Sequence, residues 1–269
     1  MSLRKRLPTA LVLMIFTFLS IQFMPTLGFF LLLQVLILAS LLEFYNLFLR
    51  KKLYPQRSFG IVLALVISSS FYFEKISLEL AFSLCFLLAA WYFVISIRKV
   101  EKLASFPSSI ALTFFGALYL SFTLNHAYLL IRKEDGSFYI YFLLGVIFLG
   151  DTGAYIFGKL WGRRKLVPIA SPHKTWVGSI GGIVFACLGA LAAQQTFMND
   201  VVLWKALVCG ILVHAVAQIS DLMESLFKRA VGVKDSSNML PGHGGILDRI
   251  DSLILATPFF YYLIHFFWD

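Results

Sequence analysis

With 59% hydrophobic and only 14% charged residues, this 269-residue chain is excluded from the ordinary soluble domains, which carry about 45–50% apolar and about 25% charged residues. The apolar residues gather in long uncharged runs, and a hydrocarbon core about 30 Å thick is crossed by about 20 helical residues. The formal net charge of +9 is divided among short membrane-proximal segments, as topology and anionic headgroups require, so no nucleic-acid partner is expected.

The apolar windows predict an all-α, polytopic integral membrane protein with about nine transmembrane helices. The windows are 7–24, 27–49, 58–73, 77–97, 106–131, 138–158, 177–196, 203–227 and 253–268. The first follows a basic start, MSLRKR, but no small-residue cleavage site succeeds it, so it is read as an uncleaved helix. Pro25-Thr26 then breaks the chain into a tight hairpin of the first two spans. Residues 1–105 are read as N-terminal transmembrane helices and 106–269 as the catalytic transmembrane half of one continuous membrane unit. Threading nine spans from a cytoplasmic N-terminus leaves only Lys75, Arg132, Lys133 and Lys205, of 23 basic residues, on the outer side. Cys85, Cys187 and Cys209 lie inside apolar runs at spacings that suit neither a disulfide framework nor a metal site.

Taken along the chain, the polar residues become more informative toward the C-terminus. Glu43 stands near the end of the second span, close to Arg50, and is read as an acid snorkelling to the interface. His126, His214 and His265 are read as packed or interfacial. Asp151 interrupts the sixth span in GDTGAYIFGK, between Gly150 and Gly153 and on one helical face with Tyr155 and Lys159. An ionisable residue at such depth is a functional candidate. The loop GRRKLVPIASPHKTWVG has basic residues and no acid, and its Ser171, Lys174 and Thr175 form a turn suited to clamping phosphates.

In SDLMESLFKRA, the positions of Asp221, Ser225 and Lys228 recur at i, i+4 and i+7, with Glu224 beside them. Glu224 and Lys228 are also spaced for an ion pair. The final cytoplasmic loop, KDSSNMLPGHGGILDRIDS, contains Pro241-Gly242-His243-Gly244-Gly245, which cannot be regular helix and offers backbone N–H groups to an anion. Helix can restart at Ile246, placing Asp248 and Asp251 on one face of its first turns, where two carboxylates suit a hard divalent cation. Acids for a metal, bases and glycines for phosphates, all at one membrane face, describe phosphoryl or nucleotidyl transfer to a membrane-resident substrate.

The run Ser225-x-x-Lys228-Arg229-x4-Lys234-Asp235, followed by Pro241-Gly242-His243-Gly244-Gly245-x-x-Asp248-Arg249-x-Asp251, resembles the signature of the phosphatidate cytidylyltransferase (CDP-diacylglycerol synthase) family. Asp151-Thr152-Gly153-Ala154-Tyr155 and Ser171-Pro172-x-Lys174-Thr175 resemble it further. The resemblance covers about half the chain, and Val177 departs from it where the family usually has an acid.

What the resemblance implies is transfer of CMP from CTP to phosphatidate, giving CDP-diacylglycerol and pyrophosphate for phospholipid biosynthesis. It implies a multi-pass enzyme of the cell (inner) membrane with its active site facing the cytoplasm. Asp221, Asp248 and Asp251 would hold Mg²⁺, with room for a second cation, and act with Lys228 in catalysis. Ser225, Arg229, Lys234, His243, Gly244, Gly245, Arg249, Lys174 and Ser171 would bind substrate. Membrane lipid would surround the site, and a homodimer is compatible with a sequence that specifies no contacts for one. The alternatives are a CTP-using enzyme with an isoprenoid or ether-lipid acceptor and, in another class, a transporter. The latter would string its acids across the bilayer, whereas these gather near one face.

Overall fold

The computed structural model describes residues 3–97, 103–240, 242 and 244–268, the side chains of 3–10 aside. The helices run α1 (Leu3–Phe23), α2 (Thr26–Leu49), α3 (Arg57–Tyr72), α4 (Leu78–Ser96), α5 (Phe106–Ala117), α6 (His126–Ile131), α7 (Gly136–Trp161), α8 (Trp176–Thr196), α9 (Leu203–Ala230) and α10 (Leu247–Phe267). Each predicted apolar window is helical. Among the described residues seven segments are long and apolar enough to cross a membrane: α2, α4, the segment Phe106–Ile131 that holds α5 and α6, and α7 to α10. The protein is thus an all-α polytopic membrane protein. Large apolar side chains such as Phe86, Leu87 and Val94 on α4 point outward, as hydrocarbon contact allows.

Local chemistry explains the boundaries. Pro25 precedes α2, where its missing N–H costs nothing, and the Ser77 hydroxyl caps α4 by accepting from the Leu80 N–H at 3.2 Å. Two departures from expectation matter. The Phe106–Ile131 segment is interrupted by a π-helical turn, Leu118–Phe122. The basic loop after α7 is an antiparallel hairpin, β1 (Lys165–Val167) on β2 (Ser171–Thr175), with Lys165 opposite Thr175 and Val167 opposite Ser171. As the expected restart at Ile246 requires, α10 begins at Leu247, ahead of the apolar window at 253, and both Asp248 and Asp251 lie in helix.

By compactness the chain falls into two units. One unit joins Met1–Tyr128 to Asp235–Arg249; the other joins Leu129–Lys234 to Ile250–Asp269. In the first, Leu41, Phe44 and Tyr45 of α2 are fully buried, and the Tyr45 hydroxyl donates to the Thr113 carbonyl at 2.6 Å. Its apolar core also carries a buried polar tie: the Gln34 amide donates to Asn125 (2.9 Å), and Asn125 donates to Ser68 (2.9 Å), holding three segments together. In the second unit, α7, α8 and α9 meet through Gly150, Gly153, Gly181, Gly182 and Gly210, small enough for side chains and backbones to approach closely. Phe142 stacks on Phe260 at 5.2 Å between centroids, joining α10 to α7.

Candidate functional site

The second unit carries a polar stripe on α9. His214, Gln218, Asp221, Ser225 and Lys228 follow the helical spacing, so their positions fall on one face. His214 is fully buried between Gly150 and Gly182, and a Cβ on Gly182 would stand 2.5 Å from its Nε2. Gln218 is doubly tied to α8: its side-chain oxygen accepts from the Ser179 hydroxyl at 2.5 Å and its amide donates to the Ser179 carbonyl at 3.2 Å.

Asp221 is the junction of this stripe. Its Oδ2 accepts from the Lys174 ammonium, and its Oδ1 accepts from the Ser225 hydroxyl at 3.3 Å. Lys174 reaches it from β2, whose last residue, Thr175, caps α8 by accepting from the Gly178 N–H at 3.1 Å. The hairpin therefore delivers an ammonium to a carboxylate 47 residues away in sequence. Asp151 and Asp251 both lie within electrostatic reach of Asp221 and Lys174, and Lys228 acts on Asp251 as well. Lys228 forms an ion pair with Glu224. Arg229 donates from Nε to the Ala170 carbonyl and from Nη1 to the Val233 carbonyl, both at 3.2 Å. Ser171 is half-buried in β2, and Lys234 is exposed.

Asp251 is held by the fold on two sides. Its Oδ1 accepts from the Ser252 N–H at 2.7 Å. Its carbonyl accepts from the Ser220 hydroxyl, and the same hydroxyl accepts from the Leu255 N–H at 3.2 Å.

The first unit holds the rest of the motif. Leu240 N–H donates to the Gly244 carbonyl at 2.8 Å, closing a tight turn. Pro241 and His243 lie outside the described residues, and so does any contact of the expected His243. Asp248 is buried, and its Oδ2 accepts three bonds at 2.8 Å: from the Ser236 N–H, the Ser236 hydroxyl and the Gly245 N–H. Gly244 is left-handed, at φ +78°, and a Cβ there would stand 2.6 Å from that same Oδ2. Arg249 is exposed.

Glu43 belongs to this cluster, and here the sequence reading is corrected. Far from snorkelling, it is 5% exposed. Its carboxylate accepts from the hydroxyls of Ser236 (3.0 Å) and Ser237 (2.7 Å) and from the N–H groups of Ile246 (3.1 Å) and Leu247 (2.9 Å). A lone acid beside Arg50 looks interfacial because its partners are some 200 residues downstream. The available signal was its charge within an otherwise uncharged apolar run.

As a cation site, the second unit's carboxylates have suitable chemistry. Asp221 and Asp251 offer hard oxygen donors, and Asp221 already binds the ammonium of Lys174. Among the described residues no three of His, Cys, Asp or Glu converge on a ready-made metal cage. Mg²⁺ is ordinarily held by one or two carboxylates with phosphate and water completing its shell, so the pair fits such an ion.

A family model described as the cytidylyltransferase family matches residues 4–267. A protein named phosphatidate cytidylyltransferase from Staphylococcus saprophyticus is 45% identical over 131 residues, 49% of this chain and 50% of its own length. One of that name from Staphylococcus epidermidis is 46% identical over 126 residues, 47% and 48% of the two chains. A third, from Haemophilus influenzae, is 42% identical over 135 residues, 49% and 47%. The chain spans about half the length of the curated relatives it matches.

Proposed function

This chain belongs to the cytidylyltransferase family, and from that premise we propose that it transfers CMP from CTP to phosphatidate, forming CDP-diacylglycerol and pyrophosphate. The observation that carries the reading is the meeting of Asp221 with Lys174, with Asp151 and Asp251 in electrostatic reach. Carboxylates for a cation and an ammonium group for phosphates stand together where α7, α9 and α10 are met by the Lys174 side chain of the hairpin.

In the reaction, an oxygen of the phosphatidate phosphate attacks the α-phosphorus of CTP. The new phosphoanhydride forms as the bond to the β-phosphate breaks, and its electron pair leaves with pyrophosphate. Lys174, Lys228 and Arg229 bind and orient the anionic groups, with the exposed Lys234 drawing both substrates in; the exposed Arg249 of the first unit adds to the protein's positive charge. Ser225 and Ser171 supply hydroxyl donors at the same face. Asp221 and Asp251 would hold Mg²⁺, which when bound would offset charge on the phosphate oxygens. Asp248, in the first turn of α10, organises the glycine turn through its Oδ2. The site faces the cytoplasm of a cell (inner) membrane, where CTP is found. Purified protein given CTP, Mg²⁺ and phosphatidate should form CDP-lipid, and Asp251→Asn should lose at least about two orders of magnitude in kcat. Transfer to a polyprenyl phosphate but not to phosphatidate would overturn the acceptor assignment, and an active Asp251→Asn the site.

A further inference from the structure

The Glu43 carboxylate is spent entirely within the molecule. It meets hydroxyls from one end of the 236–247 loop and backbone N–H groups from the other, and it is buried at 5% exposure. α10 starts at Leu247, directly after Ile246, and the first N–H groups of a helix have no partner within it. Glu43 takes the N–H groups of Ile246 and Leu247, one on each oxygen, and so serves as a cap supplied by a remote helix, with the favourable sign for a helix N-terminus. The Cβ that any other residue would add at Gly245 would stand 2.7 Å from the Glu43 carboxyl carbon, so the glycine of the loop and the acid of α2 are matched in shape. Ser236 lies between the two carboxylates: its N–H donates to Asp248 (2.8 Å), and its single hydroxyl proton is shared between Glu43 (3.0 Å) and Asp248 (2.8 Å).

We propose that Glu43 is a positioning residue of the transferase: it fixes the 236–247 loop and the first turn of α10, the helix that carries Asp248 and, three residues on, Asp251. The inference rests on the reading of the chain as a CMP transferase. It assigns to α2, outside the signature run, a part in the reaction that no residue there was given by motif. Glu43 touches neither substrate nor reacting atoms in this assignment. Its effect passes through the loop geometry.

The test compares wild type with Glu43→Gln, which keeps the volume and one carbonyl oxygen but turns an NH₂ group toward N–H donors. Ser40→Ala is the control, since among the described residues the Ser40 hydroxyl bonds its own helix at the Leu36 carbonyl. Hydrogen exchange should accelerate in the 236–247 segment of Glu43→Gln at least about tenfold, and not in Ser40→Ala. kcat should fall about 10- to 100-fold, as loss of an outer partner does, with KM for phosphatidate unchanged. If Glu43→Gln does not fold, Ser237→Ala, which removes one of the four donors, should show both effects in smaller measure. Wild-type kcat in a variant whose loop exchanges faster, or wild-type exchange, would overturn the inference while leaving the transferase reading intact. A wild-type protein that makes no CDP-lipid would overturn both.

Discussion

The hydroxyl of Ser220 reaches from α9 to two backbone groups one turn apart on α10, donating to the Asp251 carbonyl and accepting from the Leu255 N–H. The contact falls on the residue assigned to hold the cation. Replacing Ser220 by Ala removes it without stranding its partners, because the carbonyl and the N–H are i→i−4 partners within the helix. Stability in detergent should therefore shift by no more than about 1 kcal/mol, while kcat falls about tenfold as the Asp251 turn relaxes. A large loss of stability at unaltered kcat would show that the hydroxyl is only glue. At this scale the sequence reveals the acids but not their keepers. Asp221, Asp248 and Asp251 announce themselves by spacing, whereas Ser220, Ser236 and Glu43 acquire meaning only once distant segments are brought beside them.

Among the elements, the tightly joined α7, α8 and α9 depend on what is missing from their faces. Gly150 and Gly182 leave the volume that the His214 ring fills, and overfilling a packed interior costs about 1–3 kcal/mol. Gly182→Ala should lose stability in that range. His214→Ala should recover part of the loss in the double variant, giving a coupling readable from unfolding midpoints; simple additivity would mean that the two positions do not meet as described. Helices were legible because hydrocarbon demands long apolar runs and the chain supplies them. The hairpin of β1 and β2 was not, because its second strand, SPHKT, has a proline and two basic side chains where alternation would be sought. Its short strands pair locally, and its yield is the placement of Lys174. The π-helical turn within Phe106–Ile131 likewise has no periodic signature in so uniformly apolar a segment.

For the molecule as a whole, composition fixes the class and charge placement predicts the orientation. The nine-span threading puts Lys234 on the cytoplasmic side and Glu134 on the other. Both are exposed. In a background lacking Cys85, Cys187 and Cys209, a Lys234→Cys protein should resist an impermeant maleimide in intact cells and react in inside-out vesicles, and Glu134→Cys should do the reverse. The opposite pattern would invert the topology and remove the site from the CTP pool.

The central claim is that a nucleotidyl group, not a phosphoryl group, moves to the lipid. It is tested most directly by giving the purified protein phosphatidate and Mg²⁺ with CTP labelled either at the α- or at the γ-phosphate. The α-label should enter the lipid fraction and the γ-label should leave as pyrophosphate. Lipid carrying the γ-label, or no labelled lipid from either nucleotide, would contradict the account.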